Sequence, residues 1–285
     1  MSLSDKALLV SLNISQWAAR KLDKRETQEL AAKHGTSEGV ARVNKALLPG
    51  AVALDKVHKK TGEIRTFFYE QTLPWGMEGS RILPSENYMQ FVTTLRGKLS
   101  EWDQLYAQFK QDYPALQAQA RVDLNGLYRD EDYPDVSEMD RKFKADVSFF
   151  PVPDAGDFRV AISNDELARL QQDVTERVQE AMSVAMRDCW ERLHKIIKHA
   201  HEKLSDPKAI FRDSLVENAK DLCSLLPRLN ITNDAQLEAI RQDLEGALCA
   251  HAPEVLRLSA ATRAETASKM SDIMSKMGAF YQEAA

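Results

Sequence analysis

Residues 163–204 read SNDELARLQQDVTERVQEAMSVAMRDCWERLHKIIKHAHEKL, a stretch with no proline and no glycine. One apolar stripe runs along all of it. Leu167, Leu170, Val174, Val178, Ala181, Ala185, Cys189, Leu193, Ile197, Ala200 and Leu204 recur at steps of three or four. That spacing is the 3.6-residue period of an amphipathic helix. At ~1.5 Å per residue the helix would be ~60 Å long, several times the usual length of about 11–12 residues. A helix of this length spans a bundle or forms an arm that meets a partner. It makes the expected fold mainly α: an elongated bundle of long helices.

Working outward, residues 7–14 place Leu8, Val10, Leu12 and Ile14 at alternate positions, which is a strand pattern. Residues 157–163, DFRVAIS, repeat it with Phe158, Val160 and Ile162 on one face. A lone strand leaves backbone groups unpaired, so the two segments are expected to pair as a small β element. A helix is expected from Ser15 to Gly35, a second from about Thr36 with a break at Pro49-Gly50, and an ordered loop over residues 72–84. Helix resumes at Ser85 or Glu86 and is expected to break at Tyr113-Pro114. Beyond the long helix, Pro207 reads as a helix start, Thr232 or Asn233 as a cap, and residues 254–280 as one last helix. The chain thus divides into an N-terminal α+β region, 1–163, and a C-terminal long-helix region, 164–285.

The 285 residues carry a net charge of −5, unevenly spread. Residues 1–65 carry +5 and residues 101–180 carry −9. A basic head and an acidic middle can attract each other within one fold or across subunits. No apolar run approaches the length of about eighteen residues that a membrane helix needs, and no basic, cleavable leader is evident. The three cysteines, Cys189, Cys223 and Cys249, are odd in number, lack CxxC spacing and fall on apolar helix faces. They read as buried small hydrophobes in a reducing cytoplasm.

Chemistry-bearing patterns are sparse. His194, His199 and His201 have offsets of five and two, not the i, i+4 spacing of helical metal ligands. The acids of residues 130–140, RDEDYPDVSEMD with its preceding arginine, do not match the order of a calcium loop. The phosphate-loop, dinucleotide, zinc-protease and serine-elbow motifs are all missing. No catalytic, cofactor-binding or metal-binding residue is assigned. Arg20, Lys21, Lys24 and Arg25, with Lys59 and Lys60, are candidate phosphate contacts, although Asp23, Glu26 and Glu29 interleave with the first four. Phe67-Phe68-Tyr69 reads either as a base-stacking platform or as core. Trp75, between Pro74 and Gly76, reads as a loop anchor or as a partner hot spot. Met270, Ile273, Met274 and Met277 form a methionine-rich helix face that suits a partner or a core.

Several phrases together carry a resemblance: LLVSLNISQWAARKLDKRET at residues 8–27, NKALLPG at 44–50, TLPWGMEGSRILP at 72–84, DYPDVSEMDRKF at 132–143, FPVP and GDFRV soon after, then FRDSLVENAKDL at 211–222 and LNI at 229–231. Their order resembles an uncharacterised helical protein family of bacteriophages and bacterial mobile elements, over nearly the whole chain. The resemblance brings no catalytic residues. It implies an accessory protein in the cytoplasm of a bacterial host, encoded near a MoxR-like AAA+ ATPase and a von Willebrand A-type protein. Three functions stand as expectations: a non-enzymatic interaction or structural protein that self-assembles or binds a protein partner; a nucleic-acid-binding accessory protein of phage replication, recombination or defence; and an enzyme with an unfamiliar site.

Overall fold

The computed structural model describes residues 3–37, 39–76, 79–157 and 163–281. The fold is mainly α with a small antiparallel sheet. The helices among the described residues are α1 Lys24–His34, α2 Val52–Gln71, α3 Tyr88–Leu124, α4 Met139–Lys142, α5 Asn164–Ser205, α6 Ser214–Leu229, α7 Ala235–Leu244, α8 Pro253–Leu258 and α9 Ala260–Tyr281. The strands are β1 Ala7–Ser15, β2 Arg20–Leu22, β3 Asn44–Ala46, β4 Leu73–Pro74, β5 Ser80–Pro84 and β6 Lys144–Pro151. None of these helices is long and apolar enough to cross a membrane.

The long helix forms as its period requires. Ser163 caps α5 by accepting a hydrogen bond from the Glu166 amide, and Asp165 and Glu166 sit at its positive end. The stripe is buried from Ala181 to Leu204, whereas Leu167, Leu170, Val174 and Val178 are half-buried. Within its unit, α5 packs along α9 and against α6.

β1 forms where alternation places it. The rest of the expected β element differs. Asp157 closes a short 3-10 turn, Ala155–Asp157, Ser163 is the α5 cap, and residues 158–162 lie outside the described residues. The neighbours of β1 are β5 and β6, in the sheet order β4-β5-β1-β6. Ala7 faces Pro84 and Ser11 faces Ser80 across the β1/β5 pair, and Leu73 faces Ile82 across β4/β5. The segment expected as a loop, 72–84, is therefore a hairpin. Gly76 and Gly79 hold φ of 81° and 80°, which turns the chain back. Pro74 is tolerated because β4 is at an edge.

The helix expected from Ser15 begins only at Lys24, capped by Asp23, and ends as expected at Gly35 with φ 62°. Residues 20–22 instead pair with 44–46 as a two-stranded ribbon, so the second helical region is also displaced to α2. Ala19, buried with φ 48°, makes the corner, and its carbonyl accepts from the Leu47 amide at 2.7 Å. Pro114 does not break α3, which runs through it. Pro207 starts no helix, Asp234 caps α7, and the last expected helix is divided at Ser259 into α8 and α9.

The chain forms two compact units that interleave along the sequence and do not respect a single boundary at 163. Unit 1 comprises residues 1–11, 69–91 and 148–285; unit 2 comprises residues 12–68 and 92–147. The core of unit 1 is aliphatic and built mainly by α5, α6, α7 and α9, with Leu193, Ile197, Val216, Leu229, Leu237, Leu244 and Met270 fully enclosed. The core of unit 2 is rich in rings. Tyr106 stacks between Trp102 and Phe143 at centroid distances of 5.7 and 4.9 Å, and Tyr113 meets both Phe109 and Trp17 edge-on.

Candidate functional site

The candidate site is a cleft of about 700 Å³ in unit 1. Its long walls are one face of α5, from Asp188 to His199, and one face of α6, from Ser214 to Leu225. Positions 188, 192, 195, 196 and 199 share a side of α5, and 214, 218, 221, 222 and 225 share a side of α6, by helical spacing alone. The last turn of α2 and Arg81 of β5 close one end. Leu215, Leu222 and Leu225 are buried in it and Ile196 is half-buried, while Lys195, His199, Asn218 and Asp221 are exposed. The cleft therefore has an apolar floor and a rim of mixed charge.

Two arginines stand at the closed end, where an anion site would be sought first. Both are committed to the chain itself. Arg192 donates to the Glu70, Tyr69 and Thr72 carbonyls at 2.5, 3.0 and 2.8 Å, and pairs with Asp188 at 2.7 Å. It thereby satisfies the carbonyls that the end of α2 leaves without helical partners. Arg81 donates to the Thr72 hydroxyl and carbonyl at 2.7 and 3.0 Å and lies 4.9 Å from the centre of the Tyr69 ring. Burial, helped by the charge of Arg192 and opposed by Asp188, draws Arg81 below the ordinary guanidinium value, yet an arginine stays protonated. These are structural cations. The groups left to meet a ligand are the leucine floor and the polar rim.

The candidate phosphate contacts lie in unit 2, and the acidic middle neutralises much of the basic head there. Lys21 bonds to Asp132, whose carboxylate is buried with a side-chain exposure of 2%. Lys45, 8% exposed, pairs with Asp132 at 2.6 Å and with Asp23 at 3.6 Å. Burial pushes Asp132 up, but the bonds from Lys21 and Lys45 outweigh it and hold the carboxyl below its usual range. Arg25 pairs with Glu29 at 2.9 Å, and Lys60 with Glu63 and Glu101 at 2.8 and 2.6 Å. Of the six candidates, Arg20, Lys24 and Lys59 face solvent on three different elements.

The candidate partner contacts are core residues. Trp75, Met270, Ile273 and Met277 are buried in the aliphatic cluster, and Met274 is half-buried against it. The reason is the in-chain packing of α9 on α5, which covers the methionine face, while Trp75 anchors the turn after β4. Phe68 is core, Phe67 lies under the Lys98 ammonium at 5.5 Å, and Tyr69 is exposed at the cleft. The acids of residues 130–140 are turned to separate partners: Asp130 to Arg121, Asp135 to the Ser137 amide, Asp140 to Lys110 and Tyr106. Among the described residues no group of three or more His, Cys, Asp and Glu is placed to hold a metal ion.

Sequence reasoning missed Arg81, Asp188 and Arg192. The only local signal was the i, i+4 pair of Asp188 and Arg192; the α2 carbonyls that Arg192 holds are about 120 residues away in sequence. No protein-family model, curated protein or solved structure matches the chain.

Proposed function

We propose that this is a non-enzymatic interaction protein whose α5–α6 cleft takes an amphipathic helical segment of a polypeptide partner. The observation that carries the reading is the leucine-floored cleft with a charged rim, in which the two strongest cations are already held by backbone carbonyls. Such a surface offers shape and apolar area to a ligand, not a reacting group. The wall from Asp188 to His199 spans three helical turns, or ~16 Å, which matches a short helix of the partner. The resemblance to a phage and mobile-element family adds a named candidate, the neighbouring MoxR-like ATPase, and a bacterial cytoplasmic setting. A second copy of the chain is the other protein that could supply the segment.

Lys195 on the rim gives a direct test. Amine cross-linking of the protein in its host, followed by mass spectrometry, should join Lys195 to a partner peptide, and Asn218→Arg with Asp221→Arg should remove that link while the fold persists by circular dichroism. A monomer at micromolar concentration whose only cross-links come from other faces would end this reading. The nucleic-acid reading has less support, because Lys21, Arg25 and Lys60 already hold acidic partners. It requires salt-sensitive DNA binding that Arg20, Lys24 and Lys59 substitutions abolish.

A further inference from the structure

We propose that the N-terminal half of α5 pairs antiparallel with the same segment of a second copy of this chain, forming a symmetric dimer. Within unit 1, the three helices that pack on α5 meet its C-terminal half. α9 runs antiparallel to it: Arg263 donates to the Leu204 and Lys203 carbonyls at 3.1 and 2.7 Å, and His201 Nδ1 lies 3.1 Å from the Ala267 carbonyl. From Arg263 to Tyr281, α9 therefore reaches back only to about Met186 on α5. α6 and α7 meet α5 at Cys189, 3.9 Å from the Leu229 carbonyl, and at Trp190, whose indole donates to Asp234 at 3.2 Å. The aliphatic cluster accordingly takes α5 residues only from Val178 onward. The apolar stripe does not stop there. Leu167, Leu170 and Val174 continue it for about three more turns, half-buried and outside the cluster.

The occupant follows from the stripe itself, which matches its own reverse. When two α5 helices cross antiparallel about the point between Leu170 and Val174, Leu170 faces Val174 of the second copy and Leu167 faces Val178. By helical spacing, one flank of the stripe carries Glu166 and Arg177, with Asp173 further round, and the other carries the uncharged Ala168, Gln171 and Thr175. The two-fold sets the charged flanks side by side and brings Arg177 beside Glu166 of the second copy, twice. A parallel pair would instead stack Glu166 on Glu166 and Arg177 on Arg177, which like charges oppose. Within one chain Glu166 has a loose, exposed pair with Arg169 at 3.7 Å. Arg177 lies ~16 Å along the axis from Glu166, so the two cannot pair in the same helix. The contact does not use the α5–α6 cleft, whose α5 wall begins at Asp188.

The test is the mass of the full chain by sedimentation equilibrium. A helix pair of this length is at the small end of specific interfaces, so the series runs up to tens of micromolar, where the wild type should be a dimer. Leu170→Asp and Val174→Asp should each give a monomer throughout, with helical circular dichroism retained, because both side chains lie outside the core cluster. Arg177→Glu and Glu166→Lys should each weaken the dimer by about tenfold, and the two changes in one chain should restore it. Asn218→Arg with Asp221→Arg, in the cleft, should leave the dimer unchanged. A wild type that stays monomeric, a dimer that survives both aspartate variants, a double charge reversal as weak as the single ones, or a dimer lost with the cleft variant would each overturn the proposal.

Discussion

The two units solve the same problem with different materials. Unit 1 encloses aliphatic side chains on helices whose periodicity marks them out, and most of its ion pairs are local, such as Asp188–Arg192 and Glu238–Arg241. Unit 2 encloses rings together with polar atoms that must find distant partners. Trp102 donates to the Thr61 hydroxyl at 2.8 Å, Tyr113 to the Pro134 carbonyl at 2.9 Å, and Tyr133 to the Leu47 carbonyl at 2.6 Å. Burial pushes Tyr133 up to about 12, so its hydroxyl stays a donor at physiological pH. An apolar core tolerates shape errors at a graded penalty, whereas a buried polar network fails sharply when one member is lost.

The sharpest way to break this contrast is Asp132→Ala. It removes the buried carboxylate that holds Lys45 and Lys21, and leaving Lys45 without it should destabilise unit 2 by about 3–5 kcal/mol. Hydrogen exchange read by mass spectrometry should show loss of protection in residues 12–68 and 92–147; equal loss in unit 1 would mean that the ion network is not a local lock. In unit 1, Leu193→Ala should cost about 3 kcal/mol through a cavity in the aliphatic cluster, with the exchange pattern reversed. Thr61→Val is smaller. It leaves the buried Trp102 indole N–H without its acceptor, for about 1–2 kcal/mol, and a blue-shifted or quenched Trp102 emission should accompany the lower urea midpoint. Arg25→Gln removes an exposed i, i+4 pair and should leave the urea midpoint unchanged, because a solvated surface pair contributes little.

Acid should also separate the units. Glu63, Asp130, Asp132, Asp135 and Asp140, all in unit 2, are held below the ordinary carboxylate range, chiefly by hydrogen bonds from Lys60, Arg121, Lys21 with Lys45, Ser137, and Lys110 with Tyr106 respectively. A carboxylate depressed in the folded state adds stability above its unfolded pKa of about 4 and loses it as pH falls toward the depressed value. Unit 1 has fewer such groups, Glu238 and Glu265 among them. Fluorescence of Trp17 and Trp102, isolated by Trp75→Phe and Trp190→Phe, should therefore change at a higher pH than Trp75 and Trp190 do in the complementary variant. Coincident transitions would remove the electrostatic part of the comparison.

The same contrast explains what was legible in the sequence. The α5 stripe, the β1 alternation and the Gly35 stop are local patterns, and each is present. The attraction of a basic head for an acidic middle was visible as charge and became Lys21, Lys45 and Asp132. The β2–β3 ribbon was not legible, because residues 15–22 have good helix propensity and only pairing across some twenty residues and the Ala19 corner override it. The continuity of α3 through Pro114 was hidden for a related reason: Phe109 and Tyr113 are anchored by rings and by a carbonyl from elsewhere in unit 2. The cleft was least legible, since its walls are ordinary amphipathic faces and its arginines act on backbone atoms far away in the chain.

The interleaving of the units also has a consequence for the order of events during synthesis. Both segments of unit 2 precede residue 148, whereas unit 1 needs residues 1–11, 69–91 and the whole stretch from 148 onward. On a ribosome, unit 2 can close while β5 and the first half of β1 still wait for α5, whose Arg192 finishes the end of α2. Leu9, Leu73, Trp75 and Ile82, core residues in the finished protein, would spend that interval exposed. Stalled nascent chains that display Val147 but not α5 should bind a hydrophobic-segment chaperone through these residues, and should release it once the α5 stripe has emerged. The long helix that defines the architecture would then also be the signal that ends the protein's dependence on help.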